Sequence, residues 1–134
     1  DGEDKRFIIV DGAMNDLIRP TLYESFHRME AVGDHPAHSI PADIVGPVCE
    51  TGDYLGLGRH MPSLTSGDLV AVMSAGAYGA VMRSNYNSRP LAKEVMVVDG
   101  TPHLISKLQQ ISDLLAADII PAAIADFPAS APQE

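Results

Sequence analysis

The chain has 134 residues, with 18 Asp and Glu against 9 Lys and Arg and a formal net charge of -9. One core of ordinary size is within its reach, but the basic stripe of a nucleic-acid binder is missing, and an anionic membrane surface is disfavoured on the same ground. A single cysteine excludes an intrachain disulfide and suits a reducing cytoplasm; no apolar run is long enough to span a bilayer, and no signal peptide is visible.

Phe7-Ile8-Ile9-Val10, bounded by charge and by Asp11-Gly12, reads as a buried strand. Arg19 precedes a proline and should be extended, while Pro20 suits a first helical turn. Leu22, Phe26 and Met29 recur at i, i+4 and i+7, which predicts one short amphipathic helix or a pair of turns. Residues 33–41 are polar and rich in His and Pro, hence a loop. Residues 44–49 read as a strand carrying Pro47, and Thr51-Gly52-Asp53 has turn chemistry.

Ser66-Gly67-Asp68 is another turn before a strand over 69–73. Ala75-Gly76-Ala77-Tyr78-Gly79 has so little side chain that something must approach it closely: a flat ligand, or another part of a tight barrel. Residues 85–90 are polar and irregular. Strands over 94–98 and 103–106 flank a tight Asp99-Gly100 hairpin. Leu108, Ile111, Leu114 and Leu115 give Lys107 to Asp118 one apolar helical face. The Pro- and Ala-rich end, 121–134, is expected to be a flexible tail after a single domain over 1–120. Short strands with frequent Gly and Pro turns indicate a mainly β barrel or sandwich.

A lone cysteine at a strand end is, on composition alone, a small buried hydrophobe. Two neighbours pull Cys49 the other way. Glu50 follows it directly, and both can face one site only if the strand ends or bulges there, which Gly52 allows. A carboxylate beside a thiol also keeps the proton on sulfur, which suits a proton donor better than a nucleophile. Arg19 and Tyr23, four apart, can share a helix face and grip a carboxylate, or they are a surface arginine and a half-buried tyrosine. His35-Pro36-Ala37-His38, near Asp34 and with His27 and His60 further off, reads as a solvated loop, so no metal is assigned. Gly56-Leu57-Gly58 is too short for a phosphate loop, and neither a Walker lysine pattern nor a serine nucleophile elbow is present.

Four runs in order, residues 10–23, 45–53, 74–79 and 85–90, resemble the C-terminal region of bacterial diaminopimelate decarboxylases. The resemblance spans about Phe7 to Ser106. It implies an alanine-racemase-C-terminal-like β-barrel with short helices, incomplete here, because the 134 residues hold neither the family's cofactor-bearing TIM barrel nor the strand the barrel borrows from before it. It implies pyridoxal 5'-phosphate as cofactor, a cytoplasmic homodimer with shared active sites, and conversion of meso-2,6-diaminopimelate to L-lysine and CO2. It makes Cys49 and Glu50 reach into the partner's site, Cys49 as the proton donor, and makes Arg19, Tyr23, Glu50 and Tyr78 substrate contacts and Tyr78 also a cofactor contact. The start at Asp1 reads as that of a fragment or processed product, expected to be inactive alone. The competing readings are a decarboxylase for ornithine, arginine or carboxynorspermidine, and a non-enzymatic β-barrel binding module.

Overall fold

The computed structural model describes residues 5–122, so residues 123–134, most of the expected tail, lie outside the described residues. The described residues are mainly sheet with a few short helices, and their strands form three separate sheets. Strand β1 (Phe7–Ile9) pairs parallel with β3 (Ser39–Val45), and β3 pairs antiparallel with β4 (Tyr54–Pro62). Strand β2 (Met29–Ala31) pairs with β5 (Val70–Val72), and β6 (Glu94–Val98) with β7 (Thr101–Ser106). No sheet closes on itself among the described residues, as an incomplete barrel requires.

The core forms where the first two sheets meet. Leu17, Ile44, Leu55 and Met61 are buried together, and Ile8, Met29, Ala31, Val70 and Val72 pack on them. Strand β1 is not buried as its composition suggested. It alternates, with Ile8 turned to the core and Phe7 and Ile9 exposed.

Strand β3 lies earlier than the 44–49 run: it takes Ser39 to Pro41 from the expected loop and stops at Val45, leaving 47–50 as bends. Pro41 is tolerated because β1 reaches only as far as Asp43, so on that side Pro41 is an edge residue. Strand β4, the longest, was hidden in the sequence by its glycines. Leu57 and Gly58 together face Asp43 alone, a bulge that Gly58 accommodates with φ +60°. Gly56 lies close to the Arg59 side chain: a Cβ there would stand 2.6 Å from Arg59 Nε and would make it shift.

Asp43 sits in that bulge, buried. One carboxylate oxygen accepts the Gly58 N–H at 2.8 Å and the other pairs with Lys5 at 2.6 Å. Burial pushes the Asp43 carboxyl up, but the hydrogen bonds from Lys5 and Gly58 and the Lys5 charge together hold it below the ordinary carboxylate value. A carboxyl depressed on folding adds stability above its unfolded value, near 4, and that stability is lost as pH falls through the folded value. Asp43→Ala is therefore expected to cost about 1–3 kcal/mol at neutral pH. Urea denaturation of both proteins should show the gap narrowing on acidification below about pH 4; a gap independent of pH would contradict this role.

The helices are shorter than the apolar spacing suggested. Helix α1 (Arg19–Tyr23) ends where Glu24 turns left-handed at φ 55°, so Leu22 and Phe26 are exposed and Met29 belongs to β2. Phe26 lies instead under the Arg59 guanidinium, 4.0 Å from its ring centre. Helix α3 is Ile111–Leu114 rather than 107–118; Leu108, Ile111 and Leu115 are exposed, so no packing rewards a longer helix. Helix α2 (Gly76–Met82) occupies most of the small-residue segment, whose alanines favour it.

Candidate active site

The site is built around the turn that follows β3. The strand does end before Cys49, so Cys49 and Glu50 are released from alternation, and Cys49 is a free, exposed thiol rather than a buried hydrophobe. Asp53 fixes the turn. It is 5% exposed, and its carboxylate accepts the Val48 N–H at 2.6 Å and, across 39 positions, the Met14 N–H at 2.7 Å. Backbone bonds close the loop, with Gly46 N–H donating to the Asp53 carbonyl at 3.1 Å and Asp53 N–H to that of Glu50 at 3.0 Å. The Thr21 hydroxyl donates to the Gly52 carbonyl, which ties the turn to α1. Gly52 is needed for this approach, since a Cβ there would meet Thr21 Cγ2 at 2.7 Å.

Helix α1 carries Arg19 and Tyr23. Arg19 is half-buried, and its guanidinium lies over the Tyr78 ring, 5.4 Å from the centroid. Tyr23, at the helix end, is 60% exposed and shares the helix face with Arg19 by its spacing; no hydrogen bond joins the two among the described residues. Tyr78 is on the first turn of α2 and 61% exposed. The packing reading of the small-residue segment holds at Gly79, whose Cβ position is 3.2 Å from Leu17 Cδ1, whereas Gly76 has nothing within 4 Å.

Tyr86 adds a contact that the sequence reading did not assign. It stands in a 3-10 turn, Tyr86–Ser88, and its hydroxyl donates to Glu50 Oε2 at 3.1 Å. The hydrogen bond to Glu50 and the Glu50 charge raise the Tyr86 phenol above its ordinary value, so it stays a donor at neutral pH. Tyr86 also lines an open apolar cleft of about 250 Å³ with Met14, Asn15, Ile18 and Ser84. Thus Arg19 meets Tyr78, Glu50 meets Tyr86, and Thr21 couples the Cys49-Glu50 turn to the helix that bears Arg19. The turn chemistry at Asp53 was legible, but its bond to Met14 and the roles of Thr21 and Tyr86 were not, because each of these acts across 30 or more positions. Among the described residues no three His, Cys, Asp or Glu side chains stand together as metal ligands. His27 is buried, its Nδ1–H directed to the Met73 carbonyl at 3.1 Å. No helix is long and apolar enough to cross a membrane among those residues.

Residues 1–76 match the family described as the C-terminal sheet domain of pyridoxal-dependent decarboxylases, and the chain belongs to that family. The match takes in Arg19, Tyr23, Cys49 and Glu50 and stops before Tyr78 and Tyr86. The chain is 54% identical over 110 residues to the diaminopimelate decarboxylase of Zymomonas mobilis, covering 82% of this chain and 26% of that protein. Its fold matches the diaminopimelate decarboxylase of M. jannaschii solved with L-lysine, with a TM-score of 0.85 at 30% identity over 90% of this chain and 28% of that one. The Helicobacter pylori enzyme, also solved with L-lysine, matches with a TM-score of 0.79 at 41% identity over 85% of this chain and 28% of that one. The chain therefore spans about a quarter of the length of the curated relatives it matches.

Proposed function

We propose that this chain is the C-terminal domain, residues 1–120, of a diaminopimelate decarboxylase that makes L-lysine for biosynthesis, as a cytoplasmic homodimer using pyridoxal 5'-phosphate. The observation that carries the substrate choice is the presence of both an exposed carboxylate and a guanidinium among the site residues. Glu50 projects from a turn that Thr21 ties to α1, and Arg19 on that helix rests on Tyr78. An amino-acid end remote from the reacting carbon carries one ammonium and one carboxylate. Glu50, reaching across with Cys49 from the other protomer, pairs with the first, and Arg19 with Tyr23 holds the second. Ornithine, arginine and carboxynorspermidine lack that second amino-acid end. The L-lysine bound in the relatives from Helicobacter pylori and M. jannaschii agrees with a lysine-producing reaction.

The residues present suit part of what the cofactor needs. Tyr78 is exposed and Gly76 beside it is open, so a flat ring can lie against the first turn of α2. The lysine that holds the cofactor belongs, in this reading, to the TIM barrel of the whole enzyme. When bound, the cofactor supplies the electron sink that lets CO2 leave. This chain supplies the rest. Cys49 Sγ, exposed on its turn, reaches the partner's site and delivers one proton to the reacting carbon, while Glu50 and Arg19 fix which end of the substrate reacts.

In the intact enzyme, Glu50→Gln or Arg19→Ala is expected to lower kcat/KM for diaminopimelate about a hundredfold, because each leaves a desolvated charge unpaired. Turnover of lysine and ornithine, which keep the remote ammonium and lack the remote carboxylate, should change far less in Arg19→Ala but fall with that of diaminopimelate in Glu50→Gln. Unchanged preference among the three substrates in Arg19→Ala would defeat the reading.

A further inference from the structure

We infer that Tyr86 is a positioning residue for Glu50: it holds the carboxylate at one oxygen and so sets how tightly the substrate's remote ammonium is bound. The inference rests on Glu50 being a substrate contact, as proposed above. A glutamate on an exposed bend has several rotamers, and fixing one of them on binding costs entropy. Its own turn gives Glu50 little restraint, only the Gly52 N–H at 3.4 Å from Oε1. The Tyr86 hydroxyl, at 3.1 Å from Oε2, is the stronger restraint.

Tyr86 can act as a restraint because its own segment is held. Asn87 and Ser88 both have left-handed backbones, at φ 59° and 55°, so the chain doubles back sharply after the tyrosine. The Asn85 amide donates to the Arg89 carbonyl at 2.9 Å and to Gln109 Oε1 at 2.6 Å. The Arg89 guanidinium donates to the Asp11 carbonyl at 2.6 Å and stands 3.8 Å from the Asp16 carboxylate. Ser84 N–H donates to the Asn15 carbonyl at 2.9 Å. The Arg89 and Ser84 contacts dock the segment on residues 11–16, next to the helix that bears Arg19, and Asn85 ties it to Gln109. The fold does not depend on the phenol hydroxyl. Asp53 and Thr21 brace the Cys49-Glu50 turn without it, and Tyr86→Phe would keep an aromatic ring lining the cleft shared with Met14 and Ile18.

The test is a two-by-two set in the intact enzyme carrying this domain: wild type, Tyr86→Phe, Glu50→Gln and the double variant. Tyr86→Phe should raise KM for diaminopimelate about tenfold, the value of one hydrogen bond to a charged group, with kcat within about twofold and an unchanged Tm. In the Glu50→Gln background the same change should add little, because the carboxylate it orients has gone. If Glu50→Gln raises KM and Tyr86→Phe does not, the positioning role is wrong and the substrate reading stands. A Tyr86→Phe effect that persists undiminished beside Glu50→Gln, or one that falls on kcat alone, also overturns it. If Glu50→Gln itself leaves KM unchanged, the role of Glu50 fails and this inference fails with it.

Discussion

Cys49→Ala in the intact enzyme is expected to lower kcat by a factor of about 10²–10⁴, the range lost when a positioned proton donor is removed. The side chain is exposed on a bend, so stability should hardly change. KM should stay close to wild type, because the charged ends of the substrate are assigned to Glu50, Arg19 and Tyr23, not to the thiol. Cys49→Ser refines the test. It preserves size and hydrogen-bonding capacity but offers a far weaker acid, so its rate should fall well below that of wild type too. Steady-state kinetics with diaminopimelate, together with a thermal melt of each variant, separate chemistry from folding. A Cys49→Ala enzyme within tenfold of wild-type kcat would remove Cys49 from the reaction.

The two kinds of structural signal in this sequence differ in range, and that decides what can be read from it. The β6–β7 hairpin is local: Asp99 and Gly100 both take positive φ, at 48° and 76°, as a two-residue turn between strands requires. The break at Thr51-Gly52 is local in the same way. Strand β4 was not legible, because its glycines answer to Asp43 in a neighbouring strand and to Arg59 and Met29, not to a turn. The helical spacing of Leu22, Phe26 and Met29 misled because periodicity reports a helix only when the apolar face is covered, and Leu22 and Phe26 are exposed. At the site, Cys49 and Glu50 could be selected from a motif resemblance, while nothing near Tyr86 in the sequence indicates a partner 36 positions away.

The same long-range dependence makes Gly46 the most sensitive small residue of the site. A Cβ at Gly46 would stand 2.5 Å from Asp53 Oδ1 and 2.7 Å from its Cγ. Asp53 cannot simply swing aside, because both its oxygens are engaged, by Met14 N–H at 2.7 Å and Val48 N–H at 2.6 Å, and it is buried. Gly46→Ala must either expel the carboxylate or open the turn. The first leaves two backbone N–H groups without their charged acceptor; the second breaks the Gly46–Asp53 backbone bond and moves Cys49. The expected cost is about 3 kcal/mol or more, since hydrogen bonds to charged groups are worth about 1.5–3 kcal/mol each. Activity should fall further than stability alone explains, as a displacement of about 1 Å in a positioned group can cost about a hundredfold in rate. Asp53→Asn separates the two effects. It keeps one carbonyl oxygen as acceptor and loses the other, so it should cost less than Gly46→Ala and yet slow the enzyme through the same turn. Urea denaturation and kcat for both variants form the measurement. Gly46→Ala with wild-type stability and rate would mean that Asp53 does not hold the Cys49-Glu50 turn.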